Sequence, residues 1–126
     1  MTTRLEHVNI AVTDPKATAT LLADLFDWHI RWEGAAMGDG YAVHVGTDSA
    51  YLALYRPGGK TLGTVARHSV EGGLNHIGVV VADLDAAERR VIDAGFVPHE
   101  HADYEPGRRF YFDGPDGVEY EVVSYA

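Results

Sequence analysis

The sequence predicts an α+β fold of two tandem modules, each with the order strand, helix, three strands. The first observation behind this prediction is a repeat. Residues 5–14 and 73–83 each form a run of branched apolar residues that carries one histidine near its start and closes on an aspartate. The histidines, His7 and His76, lie 76 − 7 = 69 positions apart. The second observation is that Asp14 and Asp83 can both cap a following helix, so each half of the chain supports the interpretation of the other.

The first module begins with a predicted strand over Arg4–Val12. Asp14 is the expected N-cap of a helix whose first position, Pro15, needs no N–H donor. Helical spacing places on the buried face Ala17, Leu21, Leu22, Leu25 and Phe26. Period-two alternation and turn residues then predict strands at Trp28–Glu33, Tyr41–Val45 and Tyr51–Arg56, with a turn from Gly34 to Gly40 between the first two.

The second module repeats this order after a glycine-bearing linker. It contains a strand at Leu74–Val81, a helix at Leu84–Ala94 that ends at Gly95 in a left-handed conformation, and strands at Phe96–Ala102, Arg108–Asp113 and Val118–Tyr125. The inward positions of the helix are Leu84, Ala87, Val91 and Ala94. We expect one domain over residues 1–126, with module 1 at about 1–57, the linker at about 58–72 and module 2 at about 73–126.

Composition narrows the function. The 126 residues carry 19 acidic against 10 basic side chains, a net charge of −9 that disfavours nucleic acid and anionic membranes as partners. No apolar run has the length of a membrane helix, and the first residues lack a signal-peptide core, so a cytoplasmic location is expected. The chain has no cysteine, which leaves histidine, carboxylate and hydroxyl groups for chemistry.

The paired strands with His7 and His76, the capped helices, the turn motif over 110–117 and Glu121 four places after its last glycine resemble the vicinal oxygen chelate superfamily. This superfamily includes glyoxalase I, extradiol dioxygenases and fosfomycin- and bleomycin-resistance proteins. The resemblance implies two βαβββ modules whose curved mixed sheets enclose a cavity. It also implies a divalent metal ion held by side chains from the first and last strands of the modules.

Strand parity is consistent with a shared site. Alternation places His7, Asn9 and His76 on the faces opposite the helices, and it places Glu121 on the corresponding face of the last strand. The expected metal ligands are therefore His7, His76 and Glu121, binding one divalent ion (Fe, Mn, Ni or Zn). Two neutral imidazoles and one carboxylate leave coordination positions open for substrate, water or dioxygen.

The pattern departs from glyoxalase I in one respect. That enzyme has a second carboxylate on the last strand of its first module, and residues 50–55 contain none. Parity places Tyr51 where the ligand would be. Tyrosine is a poor base for moving a proton between adjacent carbons, so the sequence disfavours a simple glyoxalase I.

The three-ligand pattern is shared by extradiol dioxygenases and fosfomycin-resistance transferases. In the dioxygenases a histidine precedes the final turn and a tyrosine lies ten places before the glutamate. His101 and Tyr111 resemble these two residues here. Two features differ from the dioxygenase pattern: the spacing after His101 is longer, and Gly114 replaces a polar residue before Pro115. The expected catalytic residues are Glu121, Tyr111 and His101, with His99 an alternative to His101 for proton transfer. The expected substrate-binding residues are Tyr51, Asn9, Arg109 and His99.

Two classes of function follow. The first is a metal enzyme acting on a small substrate with adjacent oxygens, leaning to extradiol-type dioxygenase chemistry, with a lyase as the alternative. The second is a metal-free protein that binds a small molecule, as bleomycin-resistance proteins do. A sheet with one covered face needs a partner, so a homodimer is also expected.

Overall fold

The structure is a computed structural model that describes residues 3–59, 63, 68–104 and 107–126. The chain divides into two compact units, residues 1–62 and 63–126. Each unit contains one helix and one four-stranded mixed sheet, which confirms the predicted α+β class and the repeated order strand, helix, three strands. Residues 60–62 and 64–67 of the predicted linker lie outside the described residues.

The first unit has the sheet order β1-β4-β3-β2. Strand β1 runs parallel to β4, and the other neighbours are antiparallel. The elements are β1 (His7–Ala11), α1 (Pro15–Phe26), β2 (His29–Ala36), β3 (Gly40–Gly46) and β4 (Tyr51–Arg56). The helix lies against β3, β4 and β2, so one face of this sheet is covered by α1.

The second unit repeats this arrangement with the order β5-β8-β7-β6, and β5 is parallel to β8. The elements are β5 (Ile77–Val80), α2 (Leu84–Asp93), β6 (His99–Tyr104), β7 (Gly107–Asp113) and β8 (Glu119–Ser124). The helix packs on β7 and β8. In each unit the last strand therefore lies between the first strand, to which it is parallel, and the third strand, to which it is antiparallel.

Both predicted helix caps are present. The Oδ1 atom of Asp14 accepts a hydrogen bond from the N–H of Ala17 at 3.1 Å, and Oδ1 of Asp83 accepts from the N–H of Ala86 at 3.0 Å. Each bond satisfies a donor that the first turn of a helix leaves without a partner. Gly95 follows α2 with φ +95°, the left-handed conformation predicted for it.

The two cores lie between helix and sheet. In the first unit the most buried side chains include Leu22, Val43, Val45 and Leu54, and in the second they include Val91, Phe110, Phe112, Tyr120 and Val122. Leu22, Leu25 and Phe26 are buried as predicted, but Ala17 is exposed and Thr18 and Ala19 are buried in its place. Ala94 is likewise exposed because α2 ends at Asp93. Across the described residues, no helix combines the length and apolarity that crossing a bilayer requires.

The turn predicted from Gly34 to Gly40 is shorter than expected. Strand β2 continues through Gly34 to Ala36, and a short 3₁₀ turn at Met37–Asp39 makes the connection. Gly34 pairs with Ala42 in the sheet. A Cβ atom at Gly34 would lie 2.9 Å from a ring carbon of Trp32, so this glycine accommodates the indole rather than a chain reversal.

Candidate functional site

The face of the second sheet opposite α2 collects the polar side chains of this unit. On β7 and β8, Phe110, Phe112, Tyr120 and Val122 are buried on the helix side. Their neighbours Tyr111, Asp113, Glu119 and Glu121 therefore lie on the opposite side, because side chains alternate along a strand. The register pairs Tyr111 with Glu121 and Asp113 with Glu119. We call this surface the polar face of the second unit.

His76 and Glu121 approach each other on the polar face. Nε2 of His76 lies 3.6 Å from Oε1 of Glu121. Nδ1 of His76 lies 2.7 Å from Oδ1 of Asn75. This carbonyl oxygen accepts a hydrogen bond from Nδ1–H, so that in the neutral ring the lone pair lies on Nε2. Two ligand atoms bound to one ion at about 2.1 Å are separated by about 3.0 to 4.2 Å as the angle between them opens, so the pair fits a shared divalent ion.

The other carboxylate oxygen of Glu121, Oε2, accepts hydrogen bonds from two side chains. Tyr111 donates its hydroxyl hydrogen to Oε2 at 2.7 Å, and Nη1 of Arg109 donates to the same oxygen at 3.0 Å. Arg109 also donates through Nη2 to the carbonyl of Gly107 at 3.3 Å. Burial alone would raise the pKa of the Glu121 carboxyl, but the hydrogen bonds from Tyr111 and Arg109 outweigh it, and the pKa lies below its usual value. Glu121 is thus an oriented carboxylate with Oε1 turned to His76.

Tyr111 and Arg109 were predicted from sequence to contact substrate. In the structure both side chains reach the polar face, and their described contacts orient Glu121. Such hydrogen bonds to a carboxylate are typical of the groups that support metal ligands. Any contact of Tyr111 or Arg109 with a substrate stays a prediction.

A second group of ligand-type side chains lies on the same face. His99, Asp113 and Glu119 each offer one atom, and these atoms all lie within 4.8 Å of one another. Glu119 is nearly buried, and its Oε2 lies 3.3 Å from Nε2 of His68 and 3.8 Å from Nδ1 of His76. His99 was predicted from the sequence as a substrate-binding residue, but its grouping with Asp113 and Glu119 was not. The available signal was the pair of acidic residues that flank the final turn, Asp113 and Glu119, which face each other across β7 and β8.

The structure does not bring His101 to the polar face. Its Nε2 lies 2.5 Å from Oε1 of Glu88 on α2, and its ring stacks on the buried Phe110 at 6.0 Å, so His101 lies on the helix side. Simple alternation from His99 would have placed it on the polar face. Alternation fails because β6 contains a register shift between His99 and Ala102, where Glu100 adopts a φ of +53°. The structure therefore does not place His101 beside Tyr111, and its catalytic role stays a prediction. His99 is the histidine of β6 that stacks on Tyr111, at 6.2 Å.

The first unit holds His7 in a similar local environment. Nδ1 of His7 lies 2.8 Å from Oε1 of Glu6, which accepts a hydrogen bond from Nδ1–H, so that in the neutral ring the lone pair lies on Nε2. The hydrogen bond from His7, followed by one from Tyr51, lowers the pKa of the Glu6 carboxyl. Each repeat histidine thus has its Nδ1 engaged by the residue immediately before it, Glu6 or Asn75. This shared hydrogen bond was not predicted, although the sequence has an acceptor side chain directly before each histidine.

Tyr51 lies in an aromatic stack on the same face of the first sheet. Its ring is stacked with His7 at 4.9 Å and with His44 at 4.7 Å, and the Cζ atom of Arg31 lies 4.3 Å above it. Partial burial, together with the hydrogen bond that Tyr51 donates to Glu6, raises the pKa of Tyr51. Burial lowers the pKa of His44. Both groups therefore stay uncharged near neutral pH, and Tyr51 is a poor general base.

The sheet register corrects the predicted position of the missing carboxylate. In the second unit Glu121 pairs with Gly78, and in the first unit the repeat counterpart of Gly78 is Asn9, which pairs with Ala53. Ala53, and not Tyr51, therefore occupies the position equivalent to Glu121. Tyr51 pairs with His7 and is the counterpart of Glu119. Asn9, a predicted substrate-binding residue, lies on the same face between His7 and Ala11 and is exposed.

The predicted metal ligands are carried by separate units. His7 belongs to the first unit, and His76 and Glu121 belong to the second. The structure brings the last two together, and the participation of His7 stays a prediction.

The fold and these ligand-type residues identify the class. A sequence model of the Glyoxalase/Bleomycin resistance protein/Dioxygenase superfamily matches residues 4–122. This chain therefore belongs to that superfamily, as the resemblance indicated. No curated protein matches it significantly.

Solved structures share the fold at low sequence identity. The glyoxylase/bleomycin resistance protein/dioxygenase domain from Frankia sp. EAN1pec is 19% identical, with a TM-score of 0.82 and 98% of each chain covered. TnmS3, an antibiotic binding protein from Streptomyces sp. CB03234, is 15% identical, with a TM-score of 0.77 over 99% of this chain and 98% of its own. A mutant of the fosfomycin resistance protein FosX from Listeria monocytogenes, complexed with Mn(II) and 1S,2S-dihydroxypropylphosphonic acid, is 16% identical, with a TM-score of 0.72 over 98% and 93%. At these identities the likeness concerns the fold.

Proposed function

We propose that this protein is a divalent-metal-dependent enzyme that acts on a small substrate with adjacent oxygen atoms. The ligands are His76 and Glu121 of the second unit together with His7 of the first. The observation that carries the proposal is the matched state of the two repeat histidines. Each has Nδ1 engaged by the preceding side chain and a lone pair on Nε2, as in histidines that bind metals.

The remaining groups of the polar face suit this role. Tyr111 and Arg109 hold Oε2 of Glu121, which fixes the carboxylate and keeps it ionised while Oε1 faces His76. Asn75 and Glu6 set the ring orientation and tautomer of the two histidines. When bound, the ion supplies Lewis acidity and open positions for two substrate oxygens. The superfamily relative FosX in its complex with Mn(II) and a dihydroxy phosphonate is consistent with this substrate class.

Within this class, we propose extradiol-type dioxygenase chemistry on a catechol. Two imidazoles and one carboxylate would hold Fe(II) through three protein ligands, and a bound ion would supply further positions for both catechol oxygens and for dioxygen. The first module offers Ala53 where glyoxalase I has its second carboxylate, which disfavours a lyase. Because His101 lies beside Glu88 on the helix side of the sheet, this proposal relies on the ligand set and not on proton transfer by His101.

Oxygen uptake tests the reaction type. We expect the protein loaded anaerobically with Fe(II) to consume dioxygen when a catechol is added. The Tyr111→Phe variant is expected to turn over more slowly with little change in substrate binding, because it loses the hydrogen bond to Oε2 of Glu121 but keeps the ring. An oxygen electrode measures the consumption of dioxygen. Single-turnover kinetics separate the turnover rate of Tyr111→Phe from its substrate binding. If no catechol supports uptake and a Ni(II)- or Zn(II)-loaded sample isomerises a hemithioacetal, the lyase alternative is correct.

A metal-free binding protein is the second candidate, and one contact favours it. The guanidinium of Arg109 already forms an ion pair with Glu121, and both side chains are largely buried, so the carboxylate has a counter-charge without a metal. The relative TnmS3 is an antibiotic binding protein. Absence of retained metal, together with absence of oxygen uptake and of isomerisation, would make this candidate the better one.

We expect a homodimer in solution. Each sheet is covered by a helix on one face only, and the other face carries exposed apolar groups such as Val80 and Trp32 beside the polar ones. Light scattering should give twice the 13.7 kDa of one chain at micromolar concentration. A mass of one chain under these conditions would refute the expected dimer and leave the metal proposal unaffected.

A further inference from the structure

The polar face holds more acidic and imidazole groups than one ion requires. Glu119 is 6% exposed, although an ionised carboxylate is costly to bury without a compensating positive charge. It lies directly opposite Asp113 in the antiparallel register of β7 and β8. Like charges in this position repel each other and destabilise a sheet. A divalent cation between the two carboxylates would remove this repulsion.

His99 supplies a nitrogen that points to the same place. Its Nε2 is a buried atom without a hydrogen-bond partner among the described residues, and it lies 3.6 Å from Oδ1 of Asp113. A buried polar atom in this state is costly unless a ligand, ion or water completes it. One atom each from His99, Asp113 and Glu119 lies within 4.8 Å of the other two.

We propose that His99, Asp113 and Glu119 form a second divalent cation site on the polar face, separate from the His76 and Glu121 pair. One imidazole and two carboxylates neutralise a divalent charge, and this mixed set suits Mn(II), Fe(II) or Zn(II) better than Ca(II), which prefers oxygen ligands throughout. Ligand atoms on one ion are about 3.0 to 4.2 Å apart when each bond is about 2.1 Å, so rotation of these side chains would have to bring the three atoms closer together to bind one ion. The bound ion would take Nε2 of His99 out of the proton-transfer role predicted from the sequence.

Protonated histidines are an alternative source of positive charge for Glu119. His68 and His76 approach Oε2 of Glu119 at 3.3 Å and 3.8 Å, and when protonated they would form ion pairs with it. A cation site and a network of protonated histidines differ in one measurable quantity, the number of ions bound. The experiment therefore counts ions instead of measuring activity.

We expect the purified full-length protein to bind two Mn(II) ions per chain, counted from the electron paramagnetic resonance signal of unbound Mn(II) at about 0.15 M salt, which screens the acidic surface. The Asp113→Asn variant should bind one, because it removes an exposed ligand with little change in shape. Glu119→Gln is the second variant for this site should Asp113→Asn fail to fold by circular dichroism. Asp93→Asn, an identical exchange at the exposed end of α2, should still bind two.

The outcomes separate this site from the first one. A wild-type count of one that Asp113→Asn leaves unchanged overturns the second site and leaves the proposed function intact. A count of one that Asp113→Asn abolishes, and that survives in a His76→Ala, Glu121→Ala double variant, supports this site and overturns the proposed ligand set. No binding in any variant overturns both.

Discussion

The His76→Ala, Glu121→Ala double variant is expected to lose the ion of the proposed catalytic site. These side chains provide Nε2 and Oε1 at 3.6 Å, and the double exchange removes both ligands that the second unit is proposed to contribute to this site. The fall in affinity should exceed the roughly 10–100-fold that loss of an outer-shell partner causes. Titration calorimetry with Zn(II) and elemental analysis after gel filtration measure the change.

The chain offers a control with the same two exchanges. His101 and Glu88 form another histidine and glutamate pair, but on the helix side of the sheet. A His101→Ala, Glu88→Ala variant should keep the metal affinity of the wild type. Equal affinity in both double variants would refute the ligand assignment. In the wild type, Glu121 should stay ionised to lower pH than an ordinary glutamate, because the hydrogen bonds from Tyr111 and Arg109 hold its pKa below the usual value, and it should therefore remain able to bind the ion on mild acidification.

The Phe112→Ala variant is expected to show the largest loss of stability. Phe112 is fully buried, stacks on Tyr120 at 5.1 Å and lies 6.0 Å from the ring of Phe96. Truncation to alanine leaves a cavity between α2 and the sheet and should lower the free energy of unfolding by about 3–5 kcal/mol. This is a large share of the roughly 5–15 kcal/mol that stabilises a typical domain. Urea unfolding followed by circular dichroism measures it.

An apolar residue on the surface of the same unit gives the comparison. Val97 is 76% exposed, and Val97→Ala should change the free energy of unfolding by no more than about 0.5 kcal/mol. Similar losses in the two variants would show that the packing around Phe112 is not the main support of the second unit.

The fold was predictable because its signals were local and occurred twice. Asp14 and Asp83 cap their helices through hydrogen bonds to nearby N–H groups, which a short stretch of sequence is enough to specify. Apolar spacing identified Leu84, Ala87 and Val91 as buried for the same reason. The end of β2 was misjudged because Gly34 suggested a turn, whereas it lies in a strand beneath the ring of Trp32.

The candidate site was predictable only in part. Parity placed Glu121 on the correct face, and the repeat drew attention to the two histidines. The equivalence of Ala53 with Glu121 depends on which residues pair between β1 and β4, a long-range register that a single strand does not specify. The approach of Asp113 to Glu119 depends likewise on the pairing of β7 with β8 across the final turn.

The irregularity at Glu100 has a consequence for how this surface can change over evolutionary time. A single extra residue in β6 decides that His99 faces Tyr111 and that His101 faces α2. Substitution alters the chemical character of either position but leaves its direction unchanged, whereas loss of the extra residue would place the residue two positions after His99 on the same side of the sheet as His99. Among related chains, insertions and deletions in β6 are therefore expected to change which side chain faces Tyr111. Substitutions are expected to change only the chemistry of the side chain already there.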